Sequence, residues 1–327
     1  MLAKVFHAVV ALLAGLVLSG CATHEAMYPA ELEPGQLPSP TVALNIAGLG
    51  PCTDNPDRTV RFDSRQPIHV LVHGCYGSSG QFRGLAQVLA FHGQQSACFT
   101  YDDRAKLTDS AAGLRHALQQ LSAQSQVPQI TVIGHSQGAL IARNALVEPT
   151  HTILPELPAS VRLVTISGPF AGIASARTCG RTWLYPLTLG FVPFSCYLAT
   201  GPKWADITYS SRFIREPGTL APQVGQYLKI DTDERDTCRR QLDGRCVEDD
   251  EIFSLAEQRN AQVESGPHVK RREVKAGHVE IVGDKRVAPI KLIAILQEEQ
   301  VILPTPARQQ AAFSALLKQI YLTDKLR

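Results

Sequence analysis

Several features that would point to particular classes of protein are missing from this chain. The formal net charge of its 327 residues is only +2, and the basic residues are scattered rather than clustered. A nucleic-acid partner is therefore not expected. The sequence also has no heptad pattern, low-complexity tract or internal repeat. Its 44% of hydrophobic residues can form a large core, and its length suits one large α/β domain or two small ones.

Metal-ligand spacing is missing as well. Zinc sites need a C-x-x-C motif or a cluster of cysteine and histidine at ligand spacing. Neither pattern occurs in the sequence. We therefore expect no metal site.

The first twenty residues are interpreted as a signal peptide. The apolar stretch from Val9 to Leu18 follows Lys4 and is too short to span a bilayer comfortably. It ends in Leu18-Ser19-Gly20-Cys21, which resembles the lipobox of bacterial lipoproteins, and we expect Cys21 to carry the lipid. The alternative is an ordinary secretory signal with a cysteine nearby.

The resemblance to lipoproteins also implies a location. Ala22 follows the cysteine at the position where an aspartate would favour retention in the inner membrane. The sorting rule of these lipoproteins then predicts the outer membrane of a Gram-negative cell, reached through the lipid anchor. Residues 21–45, with four prolines between Glu25 and Pro40, are expected to be an extended tether to a domain at 46–327. Whether the domain faces the periplasm or the medium stays open.

Seven cysteines remain after the one in the lipobox. Disulfides are expected because an exported protein occupies an oxidising compartment. One pair brackets a short polar loop and another brackets an aromatic-rich segment. The predicted disulfides are Cys238–Cys246 and Cys179–Cys196. The other three form at most one more bridge, whose pairing the sequence leaves open, so one thiol stays free. They are Cys52, Cys75 and Cys98.

Strand-like apolar runs alternate with helical stretches along the domain. This alternation indicates an α/β fold with a mainly parallel sheet and helices on both faces. Strands are expected at 68–72, 98–101, 130–133, 161–166 and 226–230. Helices are expected at 81–92, after a cap at Asp109, after Pro289, and at 308–322. Residues 170–217 interrupt the alternation and are interpreted as an inserted cap.

The most informative motif is Gly134-His135-Ser136-Gln137-Gly138, between the strand at 130–133 and a helical stretch. Glycines on both sides allow a sharp reversal that leaves the serine hydroxyl exposed at a strained corner. The helix N-terminus beneath it favours developing negative charge. Ser136 is therefore the predicted nucleophile.

The tetrahedral intermediate formed by a serine nucleophile needs backbone donors. His73-Gly74 follows the strand at 68–72. One of the two residues after it, Cys75 or Tyr76, is expected to donate a backbone N–H to the intermediate. Gln137, at the start of the helix after the serine, is expected to supply the other.

A serine hydroxyl also needs a base. The histidines after Ser136 are His151, His268 and His278. His278 is preferred because it follows a glycine in a loop between a short strand and the C-terminal helices. His268 lies beside a proline in a charged turn.

The acid that orients the base is the hardest residue to assign. Asp231, Asp233, Glu234 and Asp236 follow the strand at 226–230, and a second acidic cluster covers 248–251. The second cluster continues into two apolar residues and resembles the D-x-[VI]-[VF] signature of hydrolase acids. That likeness favours Asp250, with Asp249 and Asp233 as alternatives.

Taken together, these motifs resemble the α/β-hydrolase superfamily, in its lipase and esterase branch. The matching stretches are HVLVHGCYGSSGQFRGLAQVLA, ITVIGHSQGALIAR, VTISGPFAGIASA and VKAGHVEIVGDKRV. The third is similar to triacylglycerol lipases and to GPI inositol-deacylase-like proteins, except that Phe170 and Ala171 stand where the family has histidine and glycine. The resemblance implies a mostly parallel sheet with an inserted cap.

The predicted function is hydrolysis of a small acyl ester or lipid through an acyl-enzyme on Ser136, with His278 as base and Asp250 as acid. The cap is expected to line or shield an acyl pocket with its apolar side chains. This chemistry requires no cofactor. Two alternatives remain: an acyltransferase using the same triad, and a catalytically inactive binding lipoprotein. The oligomeric state stays open.

Overall fold

A computed structural model describes residues 32–148, 160–177, 179, 184–188, 190–266, 268–284 and 287–321. The predicted signal peptide, Cys21 and the first part of the predicted tether lie outside these ranges. So does His151.

The described residues contain short and long strands. They are β1 (Val42–Leu44), β2 (Leu49–Gly50), β3 (Val60–Phe62), β4 (Ile68–Val72), β5 (Gln95–Phe99), β6 (Ile130–His135), β7 (Val161–Ile166), β8 (Val224–Asp233), β9 (Cys238–Leu242), β10 (Arg245–Asp249) and β11 (Val269–Lys275).

The α-helices range from single turns to a helix of 19 residues. They are α1 (Arg83–Phe91), α2 (Leu107–Ser125), α3 (Gln137–Ala145), α4 (Leu184–Leu187), α5 (Phe191–Thr200), α6 (Trp204–Ile207), α7 (Arg212–Arg215), α8 (Leu255–Gln258), α9 (Ala261–Glu264), α10 (Ile290–Glu298) and α11 (Gln310–Tyr321).

The central sheet has seven strands in the order β11-β8-β7-β6-β4-β5-β2. All neighbouring strands are parallel except β2 and β5. β5 and β6 lie on opposite sides of β4, so the strand order reverses there. Ligands of open α/β sheets bind beyond the carboxyl ends of the strands at such a reversal. The residues that follow β4 and β6 therefore lie where a site is expected.

Helices cover both faces of this sheet. Val70 of β4 packs into a cluster that includes Leu114 of α2, whereas its neighbour Leu71 packs into a second cluster that includes Leu292 of α10. Adjacent residues of a strand point to opposite faces. The predicted α/β architecture with helices on both faces is confirmed.

Several predicted elements differ from the observed ones in their ends. The strands predicted at 68–72 and 161–166 match β4 and β7, whereas β6 and β8 continue beyond the predicted ends, to His135 and Asp233. The predicted cap at Asp109 is wrong, because α2 begins two residues earlier and Asp109 lies in its first turn. The carboxylate of Asp206 instead accepts the N–H of Leu107, at 2.8 Å.

Both predicted disulfides, Cys179–Cys196 and Cys238–Cys246, are present. The pairing that the sequence left open is Cys52–Cys98. Cys75 is the described cysteine outside a disulfide. The expected loop between Cys238 and Cys246 is instead the hairpin β9–β10.

The segment expected to be a cap contains α4 to α7, between β7 and β8. Apolar side chains that were expected to line an acyl pocket lie at the surface: Leu187, Phe191 and Phe194 are 71%, 55% and 57% exposed. These three side chains do not enclose a pocket in this structure. Three other apolar residues of the expected cap lie outside the description: Trp183, Leu189 and the side chain of Tyr185.

Candidate active site

Ser136 occupies the turn between β6 and α3 in a strained backbone conformation. Its φ is 56° and its ψ is −125°, a combination that non-glycine residues rarely adopt and that clusters at functional sites. A Cβ on Gly134 would collide with the backbone of Gly138. A Cβ on Gly138 would collide with the carbonyl oxygens of Val72 and His73. Both glycines of the motif are therefore required by close backbone contacts.

The loop after β4 lies directly against this turn. A Cβ on Gly74 would lie 3.0 Å from the Cβ of Ser136. The N–H of Tyr76 donates to Oδ2 of Asp103, at 2.6 Å, so this N–H is already bound. Of the two alternatives for the loop donor, the geometry favours the N–H of Cys75.

Gln137 is the first residue of α3. The first N–H groups of a helix have no acceptor within the helix, and they carry the positive end of its dipole. The N–H of Gln137 is thus suited to an oxyanion, as expected from the sequence.

His278 lies in the loop after β11 and is 6% exposed. Its Nδ1 donates to Oε1 of Glu234, at 2.8 Å. A proton fixed on Nδ1 leaves Nε2 as the basic nitrogen. The ring is packed edge-on against the ring of Phe253, with 4.8 Å between the ring centroids.

The carboxylate of Glu234 accepts four hydrogen bonds. Besides His278 Nδ1, Oε1 accepts from the hydroxyl of Thr232 at 2.8 Å. Oε2 accepts from the N–H groups of Ile252 and Phe253, each at 2.7 Å. The side chain is fully buried. These donors leave Glu234 little freedom to turn away from the imidazole.

Sheet register explains why Glu234 and His278 meet. β8 and β11 are parallel neighbours that end in register, with Asp233 opposite Lys275. Their carboxyl ends therefore place residue 234 beside the loop that carries residue 278. Side chains alternate along β8, so Glu234 lies on the same side as Ile230 and Thr232, whereas Asp231 and Asp233 point to the other side.

The structure does not place Asp250, the acid expected from the sequence, against the histidine ring. Its Oδ1 accepts the N–H of Val279 at 3.0 Å, and its Oδ2 accepts the N–H of Glu280 at 2.9 Å. Its carbonyl oxygen accepts the N–H of His278 at 2.9 Å. Asp250 thus holds the backbone of the histidine loop. Burial raises the pKa of its carboxyl, against the lowering effect of these N–H groups.

The two alternative acids also lie elsewhere. Asp233 forms an ion pair with Arg235, at 2.7 Å, and hydrogen bonds from Arg235 hold its pKa below the usual range. Asp249 is exposed, and its side chain accepts the N–H of Glu251.

The loop that carries the likeness to the D-x-[VI]-[VF] signature contacts the carboxylate beside His278 through its two apolar residues, and not through Asp250. The backbone N–H groups of Ile252 and Phe253 bind Glu234. Glu234 is among the four acidic residues after the predicted strand at 226–230. Because β8 runs to Asp233, Glu234 is the first residue after the strand.

His135 joins the serine side of the site to the histidine side. Its Nε2 donates to the carbonyl oxygen of His278 at 2.9 Å, and the two rings are 4.7 Å apart. Burial, together with the neighbouring His278, lowers the pKa of His135 well below its usual value. His135 is therefore neutral. Since it directly precedes Ser136, its contacts with the ring and the carbonyl oxygen of His278 bring the histidine loop next to the serine turn.

The described residues contain neither a cluster of metal ligands nor a membrane-spanning helix. No group of three or more His, Cys, Asp or Glu side chains within them could hold a metal ion. None of the helices in the described ranges is long and apolar enough to cross a membrane.

The family described as alpha/beta hydrolase fold matches residues 68–185, the stretch from β4 through the serine turn into α4. The chain has the α/β-hydrolase fold. A search of curated proteins finds no match.

Solved structures with similar folds include lipase BlEst2 of Bacillus licheniformis, at 17% identity and a TM-score of 0.44, covering 81% of this chain and 100% of that one. Esterase B of Lactobacillus rhamnosis is 12% identical with a TM-score of 0.49, covering 98% and 96%. A propionate-bound esterase of Thermogutta terrifontis is 16% identical with a TM-score of 0.44, covering 74% and 86%. Similarity at this level carries no information on activity.

Proposed function

We propose that this α/β-hydrolase-fold protein hydrolyses carboxylic esters, with Ser136 as nucleophile, His278 as base and Glu234 as the acid. The observation that carries the proposal is the 2.8 Å hydrogen bond from His278 Nδ1 to Glu234, in a loop that also contacts the residue before a strained Ser136. This arrangement matches the chemical needs of an activated serine.

Each residue has a defined role in the proposed reaction. Ser136 Oγ attacks the acyl carbonyl while His278 Nε2 accepts its proton, and the alcohol leaves with that proton. Water then attacks the acyl-enzyme and gives a proton to His278. The carboxylic acid leaves as the bond to Ser136 Oγ breaks, and His278 returns the proton to Oγ. Glu234 stabilises the imidazolium that forms in each step. The N–H groups of Cys75 and Gln137 receive the oxyanion.

The proposed activity is tested by measuring hydrolysis of p-nitrophenyl esters of C2 to C16 acids. The parent protein, residues 22–327, is compared with the same protein carrying Ser136→Ala. We expect turnover by the parent protein and a loss of at least about 10³-fold in the variant. Labelling by a fluorophosphonate should disappear in the same variant. Equal turnover by both proteins would contradict the assignment. Product analysis with an added alcohol distinguishes hydrolysis from acyl transfer.

We also propose that Cys21 carries a lipid that anchors the protein to the bacterial outer membrane. The support is the sequence around residues 18–22 alone. Cys21→Ser should release the protein from the membrane fraction with unchanged specific activity. Unchanged sedimentation with membranes would contradict lipidation.

A further inference from the structure

A buried lysine lies next to the candidate oxyanion hole and has no part in the chemistry described above. Lys203 precedes α6 in the segment between β7 and β8, and it is only 3% exposed. Burial of a lysine is costly unless its ammonium group is fully hydrogen-bonded.

The ammonium group donates to three acceptors. They are Sγ of Cys75 at 2.9 Å, Oε1 of Gln137 at 3.0 Å and the carbonyl oxygen of Asp103 at 2.6 Å. Cys75 and Gln137 are the two residues whose backbone N–H groups are assigned to the oxyanion. One side chain therefore connects both walls of the oxyanion hole.

The third acceptor belongs to the same assembly. Asp103 accepts the N–H of Tyr76 through its carboxylate and receives the side-chain amide of Gln137 on its carbonyl oxygen, at 3.0 Å. Lys203 thus also fixes the residue that holds the loop after Cys75.

The three atoms that Lys203 contacts are a thiol sulfur, an amide oxygen and a carbonyl oxygen, and none is a carboxylate. The carboxylate of Asp103 belongs to the same assembly, where it accepts the N–H of Tyr76 and acts on the thiol of Cys75. The direct contacts of Lys203 are thus hydrogen bonds that fix neighbouring groups. Donors that are held in place before an oxyanion develops stabilise the transition state more than the ground state.

We propose that Lys203 is a positioning residue for the oxyanion hole, which holds the Cys75 and Gln137 N–H groups in place through its hydrogen bonds to those two residues. The inference depends on the proposed esterase function. Through Lys203, the segment between β7 and β8 would act in the chemical step, independently of any role in binding the acyl chain.

The test compares Lys203→Met with the parent protein on a series of p-nitrophenyl esters from C2 to C8. Methionine keeps the length and the apolar part of the side chain but removes the charge and the donors. We expect kcat to fall at least tenfold, and by a similar factor for every chain length. KM should change little. The oxyanion is common to all esters, whereas a pocket role would change KM and depend on chain length.

A second readout uses a boronic acid that forms a tetrahedral adduct with a nucleophilic serine. Its Ki should rise by about the same factor as kcat/KM falls, because both report binding of a tetrahedral anion. Lys318→Met, at an exposed position of α11, is the matched control and should leave both quantities unchanged.

A kcat within twofold of the parent value for folded Lys203→Met, while Ser136→Ala is inactive, would overturn the inference. A chain-length-dependent rise in KM would overturn it too. If Lys203→Met does not fold, Lys203→Gln decides the question, since it removes the charge with a polar side chain and leaves the Gln137–Asp103 hydrogen bond in place. It should give the same uniform fall in kcat, and normal kcat would overturn the inference. Absence of Ser136-dependent turnover in the parent protein would refute the proposed function, and this inference with it.

Discussion

Ser136 and its turn come from one continuous segment, β6 through α3, whereas the histidine side of the site is assembled from three segments that are distant in sequence. On the serine side, the constraints are contacts between backbone atoms, such as those of Gly134 and Gly138. On the histidine side, they are hydrogen bonds between side chains and backbone, such as those of Glu234 and Asp250. A short motif therefore specifies the first side, and only sheet register brings together the second.

The largest effect that separates the roles on the histidine side is expected from Glu234→Gln. Glutamine can still accept hydrogen bonds but does not stabilise the imidazolium, and kcat should fall by about 10³- to 10⁴-fold.

Asp250→Asn should cost mainly stability, about 1–3 kcal/mol, because the amide group faces an N–H that the carboxylate accepted. Ester turnover and urea unfolding measure the two effects. A larger loss of kcat in folded Asp250→Asn than in Glu234→Gln would restore Asp250 as the acid.

A smaller effect is expected from adding a methyl group on each side of the site. In Gly138→Ala the new Cβ meets two backbone carbonyl groups, whereas in Gly277→Ala it meets the carboxylate of Asp250. A side chain moves more easily than a backbone, so Gly138→Ala should lose about 3 kcal/mol or more of unfolding free energy and Gly277→Ala about 1–3 kcal/mol.

The matched control for these two variants is Gly113→Ala in α2, where the added Cβ makes ordinary contact, at 3.6 Å, with the ring of Phe99. It should be neutral or stabilising by up to about 1 kcal/mol, since alanine favours a helix interior. Urea unfolding measures all three variants. If Gly277→Ala lost more unfolding free energy than Gly138→Ala, backbone contacts would not constrain the serine side more tightly than side-chain contacts constrain the histidine side.

The smallest effect concerns His135, which links the two sides. Its pKa is lowered by burial and by His278, so below about pH 6.5 the unfolded chain binds a proton there that the folded chain does not. The free energy of unfolding should therefore fall as the pH falls from about 6.5, with up to about 1.4 kcal/mol per pH unit from this residue.

His135→Gln keeps a donor for the carbonyl oxygen of His278 and removes the titration. The pH dependence of its unfolding free energy should be shallower than that of the parent protein. His116→Gln, at an exposed position of α2, is the control. An unchanged slope in His135→Gln would mean that residue 135 is not a neutral buried histidine.

The sequence by itself determined the α/β fold, the serine turn with its two glycines, and two of the three disulfides. These features depend on short-range patterns: apolar runs, glycine at close backbone approaches, and cysteines that bracket one segment. The sequence also singled out His278 from its glycine-preceded loop before the C-terminal helices, and the structure places this histidine against a buried carboxylate.

Only the tertiary structure decided which carboxylate meets His278, which cysteines of the remaining three are paired, and what surrounds Lys203. Eight acidic residues near β8 and β10 have the same chemistry in the sequence. The length of β8 determines that Glu234 is the one at the end of the strand beside β11. Cys52 and Cys98 meet because β2 pairs with β5 at the edge of the sheet. These outcomes depend on contacts between residues far apart in the chain, which strand register and packing specify and local patterns do not.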